Sequence, residues 1–313
     1  MKNEYVGEFP NPISAGKIIG PVNPVDYHRP DPALVRGNPQ YPMSFSELSQ
    51  FAVCPSRWIA GYREEENEVM QWGSLIDTLA LTPEQFERRY AVTPETYRNE
   101  KGIDKPWRFG ANATDAWKED QLAAGLKIVK REHHAEATAA VKALLGDEEI
   151  ASLIEASQRQ VMVVAQYEHP EGKIVVPLKC LVDLLPRADD PKWGKCVADL
   201  KTCTNASPEP FIDHIYRMQY YAQAALYLDA LRSTGEDRTD FLMVCQENFP
   251  PWQVGRRHLS AETVELGRTR YNGWLYRYAE CLLTGHWGDY EAGQRCLLPR
   301  WAMVEFTKPW MLV

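Results

Sequence analysis

The sequence predicts an α+β fold, in which a central mixed β-sheet is flanked by helices and carries a helical elaboration on its N-terminal side. Two observations lead to this prediction. Amphipathic helical periodicity dominates as far as about residue 157, and short β-rich segments separated by turn signals begin near Gln160. With 313 residues, 44% of them hydrophobic, the chain can bury a substantial core.

The first 42 residues differ in composition from the rest. They hold eight of the 22 prolines and show little hydrophobic periodicity. Such a segment is ordered only when it lies along the body of the protein or along a neighbouring subunit. We therefore interpret residues 1–42 as an extended arm and residues 43–313 as one domain. Its helical part covers residues 43–157, and the sheet with its helices covers residues 158–313.

The helical part opens with a capping signal. Ser44 is a typical N-cap residue, and Glu47 follows at the spacing of a capping box. A loop rich in Gly, Asn, Lys and Pro is predicted over residues 96–112. The predicted helices are Leu48–Phe51, Ser56–Tyr62, Met70–Leu81, Pro83–Tyr90, Thr114–Lys130, Ala135–Leu145 and Asp147–Ala156.

The second part alternates strands with two longer helices. Turn signals at Pro170–Gly172 and Asp189–Gly194 separate the first three strands, which favours antiparallel neighbours. The predicted strands are Val161–Gln166, Lys173–Leu185, Lys195–Lys201, Phe241–Gln246 and Gln253–Leu259, and the predicted helices are Pro208–Leu231 and Ala261–Leu283.

Composition argues against several classes of protein. Met1–Pro10 lacks the apolar core of a signal peptide, and the most apolar stretch, Ile174–Leu185, is too short to span a membrane, so we expect a cytoplasmic protein without a membrane partner. The seven cysteines include no C-x-x-C pair, which argues against structural zinc and a disulfide framework. A net charge of −8 counts against a nucleic-acid partner but allows a local basic channel.

Two aspartates interrupt strongly apolar predicted strands. Asp183 lies in one of them, and Asp199 and Lys201 lie in the next at positions i and i+2, so that their side chains share a face. If the strands are neighbours, Asp183 can lie beside Asp199, and two such carboxylates repel each other unless a cation lies between them. Oxygen ligands of this kind suit Mg²⁺ or Mn²⁺. The arrangement indicates metal-dependent phosphodiester hydrolysis, with Lys201 holding or deprotonating the attacking water.

The alternative interpretation of this motif is structural, because a lone D-x-K tripeptide is more often an exposed salt pair on a strand. The next helix adds a second observation. Gln219, Gln223 and Tyr227 recur at i, i+4 and i+8 and form a polar stripe on an otherwise apolar helix. The stripe is equally compatible with contacts to phosphate or Lys201 and with a helix edge at the solvent boundary.

In their order along the chain, these motifs resemble those of the RecE-like exonucleases, a branch of the PD-(D/E)xK superfamily close to the lambda-exonuclease. The resemblance covers roughly residues 43–302. The segments that carry it are Ser44–Leu48 with Cys54–Pro55, Gly73–Phe86, Lys179–Asp183, Asp199–Lys201, Gln223–Tyr227, Gln246–Pro251 and Leu298–Trp301.

The resemblance implies a restriction-endonuclease-like core and Mg²⁺-dependent, 5′→3′ digestion of one strand of linear duplex DNA, in phage-type recombination or DNA repair. It implies double-stranded DNA ends as substrate, a ring-like homo-oligomer and a single-strand annealing protein as partner. The catalytic residues would be Asp183, Asp199, Lys201, Gln223 and Tyr227. The metal ligands would be Asp77, Asp183, Asp199 and the backbone carbonyl of Leu200.

The chain departs from the family pattern at two positions. Asp77 stands where the family usually has His, and Gln160 stands near a position where relatives often have Glu. A carboxylate can replace imidazole as a Mg²⁺ ligand, although it adds negative charge to the site. The closing C-x-x-C of the iron–sulfur nucleases is missing, so no iron–sulfur cluster is expected.

Four further residues are candidates for contacts with DNA phosphates: Lys179, Gln219, Arg256 and Arg257. Two other functions remain open at this point. The chain could be a catalytically inactive nuclease-fold protein that acts in DNA binding or assembly, for which Asp77 in place of His is the main argument. It could also be a structure-specific endonuclease on the same fold.

Overall fold

The computed structural model describes residues 12–29, 31–63 and 65–290. The strands are β1 (Ile13–Pro21), β2 (Tyr90–Val92), β3 (Thr96–Arg98), β4 (Asp104–Pro106), β5 (Lys127–Val129), β6 (Ser157–Glu168), β7 (Val175–Pro186), β8 (Cys196–Cys203), β9 (Asp240–Glu247) and β10 (Val254–His258). The α-helices are α1 (Pro24–His28), α2 (Phe45–Val53), α3 (Pro55–Ile59), α4 (Glu68–Leu81), α5 (Phe86–Arg89), α6 (Asn112–Ala123), α7 (Arg131–Leu145), α8 (Glu148–Ala156), α9 (Pro208–Arg217), α10 (Tyr220–Ser233) and α11 (Ala261–Thr284).

Six strands form the central sheet in the order β1-β6-β7-β8-β9-β10. Strands β8 and β9 are parallel, and the other neighbouring pairs are antiparallel. The connection between the parallel strands runs through α9 and α10, because parallel strands need a crossover. The predicted α+β fold with a central mixed sheet flanked by helices is confirmed.

Alternating side chains of the strands supply a hydrophobic core on each face of the sheet. In β9, Phe241 and Met243 belong to the core shared with α2, α10 and α11, whereas Leu242 and Val244 belong to the core shared with α4, α7 and α8. The same alternation in β8 places Val197 in the first core and Leu200 in the second. The sheet is therefore covered by helices on both faces, and polar residues in its strands are buried.

The N-terminal segment differs from the expected arm, because residues 13–21 form an edge strand of the main sheet. Strand β1 pairs antiparallel with β6, from Ile13 opposite Tyr167 to Pro21 opposite Val161. Next along the chain, the Val22 N–H donates to the carbonyl of Gln160 at 2.9 Å. This strand was not predicted, because its prolines and glycines hide its pattern.

Three further segments differ from the sequence prediction. The helix expected over Pro208–Leu231 is broken into α9 and α10, and Gln219 adopts a left-handed backbone conformation (φ +59°) at the break. The helix expected over Thr114–Lys130 ends at Ala123 and is followed by β5. The loop expected over residues 96–112 contains the whole β3–β4 hairpin.

The N-cap predicted at Ser44 is confirmed. The Ser44 side chain accepts a hydrogen bond from the Glu47 N–H at the start of α2, and Asp147 caps α8 in the same manner. The six cysteines in the described residues are buried free thiols. Over the same residues, no helix combines the length and the apolar character needed to cross a membrane. The motif at Leu298–Trp301 lies outside the described residues.

Candidate active site

The centre of the site is the point where β7 and β8 pair and then separate. These strands pair at Leu184 and Ala198. Beyond that pair, the Leu200 N–H donates to Asp183 Oδ2 at 2.9 Å, so that a side chain takes the place of a ladder hydrogen bond. Asp183 is 9% exposed and Asp199 is 1% exposed. The separation of the two strands thus creates a buried polar gap inside the sheet.

Gln160 on β6 holds the second oxygen of Asp183. Its Nε2 donates to Asp183 Oδ1 at 3.0 Å, and its side chain is buried. The backbone of Gln160 is left-handed, with φ at +53°, which interrupts the regular alternation of β6. The family resemblance put a contact at this position in question, but it did not predict the amide–carboxylate bond. In the sequence, the feature that could have indicated this bond is a glutamine at the start of an apolar strand.

Asp199 is held from the opposite side by α10. The Gln223 Nε2 donates to Asp199 Oδ1 at 3.1 Å, and both groups are buried. Asp199 Oδ2 forms an ion pair with the ammonium of Lys201. Apart from that ion pair, this buried oxygen has no hydrogen-bond partner in the described part of the chain. It is the oxygen of the two central carboxylates whose described contact is with a cation and not with a neutral donor.

Lys201 lies between Asp199 and an aromatic ring. Its Nζ is 4.9 Å from the ring centroid of Tyr220, the first residue of α10. Burial alone would lower the pKa of Lys201, but the charges of Asp199, Tyr220 and Asp183 outweigh burial and raise it. The side chain is therefore an ammonium at neutral pH and can donate hydrogen bonds.

The third carboxylate, Asp77, comes from α4 on the other face of the sheet. Burial and the charge of Asp199 raise its pKa to about 7, against the lowering effects of Lys201 and Arg89. Burial also raises the pKa of Asp183 well above its usual range, and the charges of Asp199 and Asp77 add to this effect. The three carboxylates are thus close enough to disfavour one another's ionisation.

Tyr227 lies one turn after Gln223 on α10 and is buried. Burial raises its pKa well above the usual range, as do the charges of Tyr27, Cys180 and Asp199, while a hydrogen bond with Gln223 acts in the opposite direction. Tyr227 therefore supports Gln223, which in turn holds Asp199. The neighbouring Tyr27 comes from α1, and no sequence motif pointed to it.

In the described residues, the other predicted DNA contacts form no hydrogen bond or ion pair with Asp183, Asp199 or Lys201. Gln219 Oε1 accepts hydrogen bonds from Tyr221 and Arg270, away from the stripe expected for a continuous helix. Arg256 forms ion pairs with Asp147 and Glu149 near the start of α8.

Arg257 donates to two backbone carbonyls, those of Arg256 and Ala206. Lys179 donates to the carbonyl of Tyr27 at 2.7 Å. Its position four residues before Asp183 therefore leaves it next to the N-terminal segment.

The donor set fits a divalent cation in part. In the described residues, no three His, Cys, Asp or Glu side chains form a group that could hold a metal ion. Asp183 and Asp199 nevertheless offer hard oxygen donors, and Asp199 Oδ2 is buried without a hydrogen-bond partner. A single ammonium, that of Lys201, faces these two carboxylates, so their ionised forms leave a net negative charge that suits Mg²⁺ or Mn²⁺.

Comparisons with known proteins agree with this fold. A crystal structure described as "Putative exonuclease" from Eubacterium rectale is 15% identical, with a TM-score of 0.53, over 86% of this chain and 93% of that one. A complex of Rai1 from Scheffersomyces stipitis with (3'-NADP)+ and calcium ion is 11% identical over 68% of this chain and 58% of that one. Its TM-score of 0.27 is too low to support an argument.

No match was found among curated proteins. Residues 44–298 match the family described as "PDDEXK-like domain of unknown function (DUF3799)". The match covers the sheet from β6 to β10, both carboxylate strands and α10. The chain therefore belongs to this PDDEXK-like family, within the PD-(D/E)xK nuclease superfamily.

Proposed function

We propose that the protein is a Mg²⁺-dependent exonuclease that hydrolyses linear double-stranded DNA, with 5′→3′ polarity and a role in phage-type recombination or DNA repair. The observation that carries the proposal is the pair of buried carboxylates, Asp183 and Asp199, with Lys201 beside them. Burial of such carboxylates is costly unless a cation compensates them, which makes a purely structural role unfavourable. The likeness to RecE-like exonucleases supports the finer part of the proposal.

In this mechanism Asp183 and Asp199 would hold the ion, and Asp77 and the backbone carbonyl of Leu200 would be additional ligands. When bound, the ion polarises the scissile phosphate and lowers the pKa of a water molecule. The chain's own contribution is to fix the ligands. Gln160 and the Leu200 N–H orient Asp183, and Gln223 orients Asp199. Such supporting hydrogen bonds keep metal ligands in place.

Lys201 acts as a hydrogen-bond donor. Its ammonium, paired with Asp199, is suited to hold the attacking water or to stabilise charge on the phosphate. Tyr227, which shares a hydrogen bond with Gln223, keeps that amide in place. Asp183, Asp199 and Lys201 thus form the group at the reacting atoms. Gln223 and Tyr227 form the group that positions them.

The test uses linear and covalently closed circular duplex DNA, with Mg²⁺ or EDTA, and compares the wild type with Asp199→Asn. Asp237→Asn is the matched control, because this exposed aspartate forms its ion pair with Lys195 at the surface. We expect Mg²⁺-dependent loss of the linear duplex with the wild type and the control, and no loss with Asp199→Asn.

Other outcomes would replace the proposal. Cutting of the closed circle would identify an endonuclease on the same fold. Binding of DNA without hydrolysis in either Mg²⁺ or Mn²⁺ would identify an inactive member of the superfamily. Strand-specific end labels would decide the polarity, because 5′→3′ digestion releases a 5′ label first.

A further inference from the structure

Four cationic side chains from separate segments act on His28, at the end of α1. Burial lowers the pKa of His28, and the charges of Lys179, Arg89, Lys127 and Arg63 lower it further. These residues come from β7, α5, β5 and the segment before α4. We call these five residues the His28 cluster. In a chain with a net charge of −8, such a concentration of positive charge is a local exception.

The cations of the His28 cluster differ in how their charge is compensated. Arg63 pairs with Glu47 at 3.4 Å, and Lys127 pairs with Glu66. By contrast, within the described residues the direct contacts of Lys179 and Arg89 are with neutral groups and not with carboxylates.

Lys179 Nζ donates to the Tyr27 carbonyl at 2.7 Å and lies 4.6 Å from the Tyr27 ring centroid. Arg89 Nη1 donates to Thr78 Oγ1 at 2.6 Å. An ammonium has three donors and a guanidinium five, so both side chains retain N–H groups for a further ligand. Both are half-buried, which limits how far solvent screens them.

The positions of these two residues place them on the side of the carboxylates. Arg89 bonds to the hydroxyl of Thr78, which follows Asp77 on α4, and the charge of Arg89 lowers the pKa of Asp77. Lys179 lies on β7, the strand that carries Asp183. Arg89 and Lys179 therefore lie on the side of the site formed by α5 and the N-terminal segment.

We infer that Lys179 and Arg89 bind a DNA backbone phosphate other than the scissile one, and so guide the strand into the site. The inference rests on the proposed function, because it takes DNA as the substrate. A guanidinium fork and a point-charge ammonium are the two side chains best suited to phosphate. The pair also explains how an acidic protein can hold a polyanion, since the local charge near the site decides binding.

The experiment measures binding of a fluorescein-labelled linear duplex by anisotropy, in EDTA, over a range of salt concentrations. Lys179→Gln and Arg89→Gln are compared singly and together with the wild type. Removing one cation that binds phosphate should reduce the slope of log K against log salt by about 0.9, and the double variant should show about twice that reduction. The charge-conserving variants Lys179→Arg and Arg89→Lys should keep the wild-type slope.

Two matched controls remove one surface charge each. Lys195 pairs with Asp237, and Arg187 lies 3.9 Å from Asp190, both before the start of β8 and both more than half exposed. Lys195→Gln and Arg187→Gln should leave the slope unchanged. This separates the effect of a specific phosphate contact from that of a change in net charge.

The inference would be overturned if the folded double variant, Lys179→Gln with Arg89→Gln, kept the wild-type slope of log K against log salt. If Lys179→Gln unfolds because its bond to Tyr27 is absent, the Arg89→Gln variant decides alone, since it gives up the bond to the Thr78 hydroxyl and the contact with the Tyr90 ring. Failure of the proposed function looks different. A wild type that binds the duplex through this pair, yet leaves it intact with Mg²⁺, keeps the inference and refutes the nuclease.

Discussion

Of the four oxygens of Asp183 and Asp199, three accept hydrogen bonds from uncharged donors. These donors are the amides of Gln160 and Gln223 and the N–H of Leu200. Such bonds fix the orientation of the carboxylates without cancelling their charge. The positive charge beside them is supplied by Lys201. The side chains are therefore oriented for a cation before any cation arrives, which is the arrangement expected of a metal site.

At Gln223, substitution tests whether the amide positions Asp199. We expect Gln223→Ala to reduce the rate of Mg²⁺-dependent DNA hydrolysis by about 10- to 100-fold, because supporting hydrogen bonds to metal ligands have effects of this size. Circular dichroism should show an unchanged fold. The control is Gln158→Ala, an exposed residue on β6. A wild-type rate in Gln223→Ala would show that the amide has no part in orienting Asp199.

The raised pKa of Asp77 predicts a pH dependence of metal binding. With a pKa of about 7, Asp77 is largely protonated below neutral pH and ionised above it. A ligand must be deprotonated to bind a metal, so the affinity for Mg²⁺ should rise as the pH increases through 7. Isothermal titration with Mg²⁺ on either side of pH 7 measures this change. In Asp77→Asn the rise should be smaller, and an equal rise would exclude Asp77 as its source.

At the scale of elements, α10 has to be held in place because it carries both Gln223 and Tyr227. Hydrogen bonds of the buried Asp229 connect it to α11. Asp229 on α10 accepts from Arg268 at 2.8 Å and from the buried hydroxyl of Tyr271 at 2.6 Å. Helix α11 also approaches closely at Gly267, where an added Cβ would lie 2.2 Å from the carbonyl oxygen of Tyr221. The position of Gln223 thus depends on the packing of two helices.

Asp229→Ala should destabilise the protein by about 3 kcal/mol or more, because it leaves the guanidinium of Arg268 and the hydroxyl of Tyr271 without their buried partner. Urea unfolding measures the loss. Asp237→Ala, an exposed position, should change the unfolding free energy by less than about 0.5 kcal/mol. Equal stability of the two variants would mean that the contacts of Asp229 do not hold α10 in place.

The elements also show how far the sequence could predict the site. Asp183, Asp199, Lys201 and Gln223 were selected because polar residues in apolar strands and helices are conspicuous, and the structure brings these four together. The break before α10 was missed because neither Pro nor Gly marks it. This break is also why Gln219 bonds to Arg270 and lies outside the predicted stripe.

Contacts between distant segments leave no local pattern in the sequence. Gln160 bonds to Asp183, and the carbonyl of Tyr27 accepts a hydrogen bond from Lys179. Arg89 lowers the pKa of Asp77. The members of each pair lie in different elements. No periodicity or spacing could have joined them.

For the whole molecule, β1 completes one edge of the sheet and packs against the end of α10. An added Cβ at Gly16 would lie 2.1 Å from Ser233 Oγ and 2.8 Å from the Ser233 backbone carbon. We expect Gly16→Val to lower stability by about 1–3 kcal/mol, the usual effect of overpacking, with a lower midpoint of urea unfolding. Lys17→Val, at an exposed neighbouring position, is the control. If both variants unfold alike, β1 does not contribute to the stability of the sheet.

The pairing of β1 with β6 also determines when the site can form during synthesis. Strand β1 is made before β6, and its full pairing requires residue 167, since Ile13 lies opposite Tyr167. Val22, the residue after β1, then bonds to the backbone carbonyl of Gln160. The side chain of Gln160 orients Asp183. Gln223, which orients Asp199, is made later still. A nascent chain therefore lacks the hydrogen bonds that order both carboxylates until residue 223 has been made.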